Sequence, residues 1–224
     1  MAPPYSFVIP VLDEAPRLPG LLAALRQRFP AAELVVVDGG SRDGSVAAAL
    51  PAADLVLLGE RGRAAQMNLG GRAATGDWLL FLHADTLPEF TAGALRAELA
   101  GAAVWGFCRV RLSGRAPLLR VVERAMNLRS RWTRIATGDQ LLFLRRTQFE
   151  HCGGFAPIAL MEDIELSRRL RSVGVPAGAR LRVCTSSRRW EQRGILRTVA
   201  LMWWLRLRYA CGAPPARLRA RYDG

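Results

Sequence analysis

Four short apolar runs, at residues 5–12, 33–37, 54–58 and 77–82, are separated by stretches with helical spacing. This alternation constrains the fold more than any other feature of the chain. Runs of Val, Ile, Leu and Phe this continuous suit strands buried on both faces, as in a parallel sheet. Parallel neighbours need a crossover connection, normally a helix, and the crossover is right-handed. Helices are expected at residues 16–29, where Leu18, Leu21, Leu22 and Leu25 share one face, and at residues 61–75. A shorter helix, capped by Ser41 or Asp43, is expected to run through Leu50. Such a chain is an α/β protein with a mostly parallel, Rossmann-like central sheet flanked by helices.

Beyond residue 85 the pattern loosens into a more mixed region. Helical spacing recurs at residues 91–99, 118–132, 162–172 and 195–209, and strands are expected at 104–112, 140–144 and 179–184. With 224 residues, half of them hydrophobic, the chain can bury one sizeable core, and no linker is long enough to split it. We read residues 1–224 as one domain, with a first half at 5–100, a second at 101–190, and a basic, Trp-rich helix and tail at 191–224.

The charge is unevenly placed. Every one of the 32 basic residues is Arg; residues 1–100 hold 8 Arg against 11 acids (net −3), and residues 101–224 hold 24 against 8 (net +16). Arginine forks onto phosphate, so the second half suits a phosphate-bearing partner or an anionic membrane surface. Nucleic acid is not expected, because the aromatic residues do not interleave with the basic ones in a recognised module. Cys108, Cys152, Cys184 and Cys211 form no CxxC pair, which argues for reduced thiols rather than zinc or a disulfide framework. The first residues lack a basic segment followed by an apolar one, and no run reaches the ~18 apolar residues of a membrane span. A cytoplasmic protein is expected, with contact to the inner face of a membrane left open.

Three of the first four strands end in acids: Asp13-Glu14, Asp38 and Asp85. Ligands of open α/β sheets bind just beyond the carboxyl ends of the strands. One acid at a strand tip is routine. Several beside one crevice repel each other unless a cation or a hydrogen-bonding ligand lies there. A nucleoside diphosphate accompanied by a divalent metal would meet both needs.

The segments SFVIPVLDE (6–14), LVVVDGGSRDGS (34–45), GDWLLFLHAD (76–85) and MEDIELSRRL (161–170), in that order, resemble the landmark blocks of glycosyltransferase family 2. The resemblance spans roughly residues 5–190. It implies the GT-A fold, a nucleotide-diphosphate sugar as donor, Mn²⁺ or Mg²⁺ as cofactor, and transfer with inversion to an acceptor hydroxyl. By this resemblance Pro10, Leu12, Asp13 and Glu14 line the base and ribose pocket, and Asp38 hydrogen-bonds the nucleoside. Gly39 stands where a second Asp is common. Asp85 matches the metal-binding acid of the family's Asp-x-Asp motif, His83 replaces its first acid, and Ala84 lies between them against the donor. A neutral imidazole at His83 can bind metal or hydrogen-bond ribose or phosphate, or it can be a packed strand residue. Arg63 and Asn68 match a short pattern placed against the nucleotide.

Inverting transfer needs a base for the acceptor proton, and a positioned carboxylate suffices. The resemblance makes Asp163 that base, with Glu162 orienting the acceptor. Acids here also suit a helix N-terminus. Asp139, in Gly138-Asp139-Gln140, is assigned to the acceptor side. Arg189 is matched, more weakly, to the departing diphosphate. In the last helix Arg193, Arg197, Trp204 and Arg208 share a stripe, with Leu196, Val199, Trp203 and Leu207 elsewhere around it. That face is either a headgroup interface, consistent with a lipid-linked acceptor, or a core face with snorkelling arginines.

Two other classes compete. A nucleotidyltransferase of similar fold usually opens with a Gly-rich phosphate loop, which residues 8–20 lack. A catalytically decayed membrane- or polyanion-binding module fits the +16 half, but the retained Asp85 and Asp163 argue against it.

Overall fold

The computed structural model describes residues 3–178 and 180–223. The first half alternates as expected: β1 (Tyr5–Val11), α1 (Leu18–Arg28), β2 (Glu33–Asp38), α2 (Ser45–Ala49), β3 (Leu55–Leu58), α3 (Arg63–Ala73) and β4 (Trp78–Phe81). It continues with β5 (Thr86–Pro88), α4 (Ala92–Leu99), β6 (Trp105–Phe107), β7 (Arg109–Leu112) and α5 (Pro117–Thr133). A 3-10 turn (Gly138–Gln140) leads into β8 (Leu142–Arg145), α6 (Arg146–His151), α7 (Glu162–Leu170) and β9 (Arg182–Thr185). The chain closes with α8 (Arg188–Arg193), α9 (Ile195–Ala210) and α10 (Pro215–Asp223).

Among the described residues the central sheet has the order β3-β2-β1-β4-β8-β6. Strands β1 to β4 pair in parallel, whereas β8 runs antiparallel to both β4 and β6. The strand side chains alternate between two apolar layers. Phe7, Ile9, Leu34, Val36 and Leu80 enter one, and Val8, Val35, Val37, Leu79 and Phe81 the other. This two-residue period explains why the runs are apolar throughout. Helix α1 places Leu18, Leu21, Leu22 and Leu25 on the first layer.

Helix α3 packs unusually close to the second face. A Cβ on Gly70 would lie 2.8 Å from Val37 Cγ2, so only glycine permits this approach. Gln66, one turn earlier, is buried and donates from Nε2 to the carbonyls of Val11 and Val37, each at 2.8 Å. It thereby ties the carboxyl ends of β1 and β2 together. Gly39 lies directly against it: a Cβ there would stand 2.9 Å from Gln66 Cδ. This contact gives a physical reason for glycine where a second Asp is common.

Several sequence expectations change. The strand expected over 104–112 is two strands in different sheets, broken at Cys108, whose N–H donates to Gln140. With β5 and β9, β7 builds a small sheet of order β5-β9-β7. The strand expected from Ala179 starts at Arg182; Ala179 lies outside the described residues, as do Met1 and Ala2. Helix α2 is capped by Gly44 (φ 85°) rather than by a Ser41 or Asp43 side chain at the cap position. Asp43 instead accepts from Ser45 N and Ala15 N, and Ser41 from Asp13 N. Arg193 is separated from α9 by Gly194, so it is not on the helical stripe with Arg197, Trp204 and Arg208. Nor do the α9 tryptophans pack on the sheet: Trp203 and Trp204 are exposed. No described helix is long and apolar enough to cross a membrane.

Candidate active site

Two clefts meet at the carboxyl edge of the parallel strands. The first, of about 510 Å³, is lined by Pro10, Leu12 and Glu14 from the end of β1, by His83, Ala84 and Asp85 beyond β4, and by Arg63 and Arg189. The second, of about 330 Å³, is lined by Asp139, Glu162 and Asp163 together with apolar residues of α5 and α9. Arg63 and His83 border both.

The placement of these groups follows from topology. Helix α3 returns antiparallel to the strands, so its first residue, Arg63, reaches the carboxyl edge. Burial opposes its charge, but Tyr222, Glu162, Asp139 and Asp163 together hold its pKa above the ordinary value. Arg189 stacks on Tyr222 at 4.1 Å and keeps a buried Nη1 without a partner. Asp38 is buried; Oδ2 accepts from Gly40 N and Ser41 N, while Oδ1 has no partner. A buried unpaired acceptor is costly unless a ligand satisfies it.

Other expected residues sit differently. Asp13, exposed with φ 55°, accepts from Arg42 N and does not line the first cleft. Asn68 is turned from a nucleotide role. Its Nδ2 donates to Phe155 O and its Oδ1 accepts from Phe155 N, which satisfies both ends of the amide structurally, and it lines neither cleft. Glu14 forms an ion pair with Arg17 at 2.7 Å while still bordering the first cleft.

On the other side, Met161 adopts φ 72° just before α7. The turn starts the helix at Glu162, so the acids lie at its positive end and line the cleft together. Asp163 Oδ2 accepts from Gly138 N at 2.6 Å and Oδ1 from Ile164 N at 2.7 Å. Glu162 is buried; desolvation, then Asp163, raises its pKa to about 7, against the pull of Arg63. Desolvation and Asp85 raise Asp139 to about 6, although its carboxylate opens to the cleft. Burial and then Arg63 push His83 down to about 4, so the imidazole is neutral at pH 7. Its Nδ1 lies 3.9 Å from Asp139 Oδ1.

These shifts predict a pH signature. Between pH 4.5 and about 7 the folded chain retains on Glu162 a proton that the unfolded chain has released. The stability this supplies is complete below pH 4.5 and is lost as pH rises through 7. His83 acts oppositely: its contribution is complete above pH 6.5 and is lost as pH falls through about 4. His83 acts alike in wild type and in Glu162→Gln, so the difference between their melting curves isolates Glu162: relative to the variant, wild type should lose melting temperature between pH 5 and 7.5. Parallel declines would assign the loss to another group.

A divalent cation is tested by its donors. Among the described residues no group of three or more His, Cys, Asp or Glu side chains is arranged to hold a metal. Asp85 is nonetheless exposed on the first cleft, its Oδ1 accepting from Thr86 Oγ1 at 3.2 Å, with neutral His83 beside it. One carboxylate and an imidazole fit a cation that would complete its shell with ligand oxygens and water.

Sequence reasoning missed Gln66, Arg129, Arg206 and Tyr222. Gln66 sits mid-helix with no polar pattern around it. Arg129 and Arg206 are two of 24 arginines in their half, and only the meeting of α5 with α9 distinguishes them. Tyr222 belongs to α10, which carried no helical expectation.

A parallel sheet with an antiparallel extension, and a polar cleft at its carboxyl edge, is the architecture of GT-A glycosyltransferases. The chain superposes on TarS 1–349 of S. aureus, solved with UDP, at TM-score 0.62 and 17% identity, covering 90% of this chain and 66% of that one. It superposes on the mannosyltransferase PcManGT from Pyrobaculum calidifontis, solved with GDP-Man and Mn²⁺, at TM-score 0.57 and 23% identity, covering 80% and 55%. Residues 6–92 match the model of glycosyl transferase family 2. A PGL/p-HBAD biosynthesis glycosyltransferase of Mycobacterium bovis (strain BCG / Pasteur 1173P2) is 44% identical over 96 residues, covering 38% of this chain and 36% of that protein. The probable glycosyltransferase YdaM of Bacillus subtilis (strain 168) is 30% identical over 167 residues, covering 68% and 38%. The chain belongs to glycosyl transferase family 2. It spans little more than a third of the length of these curated relatives.

Proposed function

We propose that this chain transfers a sugar from a nucleotide-diphosphate donor in the first cleft to an acceptor hydroxyl in the second, with inversion. One observation carries the reading: the two clefts meet at Arg63 and His83, with carboxylates on both sides of the junction. In this reading residues 5–100 supply most of the donor side and residues 101–190 the catalytic acids of the acceptor side.

Pro10 and Leu12 wall the donor cleft, while Asp38, buried at the tip of β2 and lining neither cleft, has in Oδ1 an unpaired acceptor that a nucleoside donor group would satisfy once the site opens to it. Asp85, with His83, would hold a divalent cation; when bound, the cation supplies positive charge to the diphosphate. Arg63 and Arg189 supply charge from the chain itself, and Arg189 has the free N–H to do so. On the acceptor side Asp163 takes the hydroxyl proton as the oxygen bonds to the anomeric carbon. The bond from that carbon to the diphosphate breaks, and its electron pair leaves with the diphosphate. Gly138 N holds Asp163 in place for this. Glu162, its pKa raised to about 7, fits acceptor binding, since in its protonated form the carboxyl can donate a hydrogen bond.

Thermal shift against UDP-, GDP-, ADP- and dTDP-sugars, with and without Mn²⁺, tests the reading. At least one donor should raise the melting temperature, and more so with Mn²⁺. If none does, the transfer reading fails.

A further inference from the structure

Two helices carry apolar stripes that the rest of the described chain leaves uncovered. On α5, Leu118, Val121, Ala125, Leu128 and Trp132 recur every three or four residues, all exposed, with Trp132 at 76%. On α9, Leu196, Trp203 and Leu207 share one face and are 70%, 66% and 63% exposed. Apolar faces of this kind on a soluble domain usually mark an interaction surface. They are not isolated: Leu118, Val121, Leu196 and Trp203 line the acceptor-side cleft itself, so the surface continues inward toward Asp163.

Arg129 and Arg206 line the same cleft. Burial, then the charge of Arg206, pushes Arg129 down to about 9, and burial lowers Arg206 as well; Asp163 and Asp139 compensate only in part. Arg129 gives one Nη to Ser130 Oγ, while its Nε is buried with no partner. Two guanidinium groups drawn into one apolar cleft, one with a free N–H, are a receptor for an anion. Outside the cleft, exposed Arg124, Arg131, Arg197 and Arg208 flank the two stripes. Tryptophan and leucine edged with arginine suit an anionic lipid interface.

We propose that the acceptor is an anionic amphiphile, a lipid phosphate that also carries a free hydroxyl, whose hydrocarbon chain lies between α5 and α9 and whose phosphate rests on Arg129 and Arg206. This rests on the transfer reading above: the hydroxyl, not the phosphate, loses its proton to Asp163 and bonds to the anomeric carbon as the diphosphate leaves. It also places the α5 and α9 stripes on the lipid surface that delivers the acceptor.

The test is calorimetric titration of the full chain with dodecyl phosphate below its micellar concentration, beside inorganic phosphate. Wild type should bind dodecyl phosphate at least tenfold more tightly than inorganic phosphate, because burying the chain adds apolar area. Leu196→Glu/Trp203→Glu should weaken dodecyl phosphate by about tenfold or more, whereas Trp203→Leu should not. Arg129→Gln/Arg206→Gln should weaken it similarly. Each variant should keep the thermal shift that the donor gives with Mn²⁺, which also reports that it is folded. Equal affinity for the two phosphates would overturn the proposal in favour of a free-phosphate site. So would binding indifferent to both double variants. Retained lipid binding without any donor shift in wild type would instead sink the transfer reading.

Discussion

Asp163→Asn is expected to bind donor like wild type and to lose transfer by about 10²- to 10⁴-fold, the usual worth of a positioned general base. The substitution keeps shape and size but removes the proton acceptor. Asp163 lines only the acceptor-side cleft, so donor affinity has no reason to change. There is a structural cost. Both carboxylate oxygens accept backbone N–H bonds, from Gly138 and Ile164. An amide can serve one of them well, and its NH₂ then faces the other donor, at a cost of about 1 kcal/mol or more. The melting temperature should therefore drop slightly while the donor shift persists. Single-turnover rates with saturating donor separate the two effects; turnover near the wild-type rate would move the base to another group, with Glu162 and Asp139 the nearest candidates.

Asp85→Ala should have the second large effect, and on the opposite cleft. The carboxylate is exposed on the donor side and holds little of the fold together, its hydrogen bond being a long one to Thr86 Oγ1. Removing it should leave the melting temperature of the free chain nearly unchanged. It should abolish the additional stabilisation that Mn²⁺ gives with donor, and lower turnover by roughly 10²- to 10³-fold, the scale of losing one preorganised charge contact to a leaving group. A Mn²⁺-dependent shift retained in Asp85→Ala would place the cation elsewhere. The pair of variants also separates the clefts: one keeps the donor shift without transfer, and the other loses the metal-dependent part of the shift.

The donor half was legible because local rules and tertiary packing agree there. Apolar runs of strand length between helical stretches admit few arrangements, and the acids at their ends follow from the sheet's direction. The acceptor half was legible only in pieces. Residues 104–112 read as one strand since the break at Cys108 is imposed by long-range bonds that the N–H groups of Phe107, Cys108 and Arg109 donate to the carbonyls of Ala177, Gln140 and Leu181, which no local pattern announces. Asn68 read as a polar group next to a nucleotide, but Phe155, 87 residues away, claims both ends of its amide. The α9 stripe was ambiguous in sequence because an apolar helix face looks the same whether it faces a core or the outside. Only the neighbouring α5 shows which side is covered.

Gly138 ties these halves together more tightly than their chemistry requires. It is buttressed against the His83 ring so closely that any Cβ at 138 would collide with it, and its N–H is the group that holds Asp163. The tip of β4 and the acid at the start of α7 are thus separated by a single residue, so a side chain added at 138 would disturb His83 and Asp163 together.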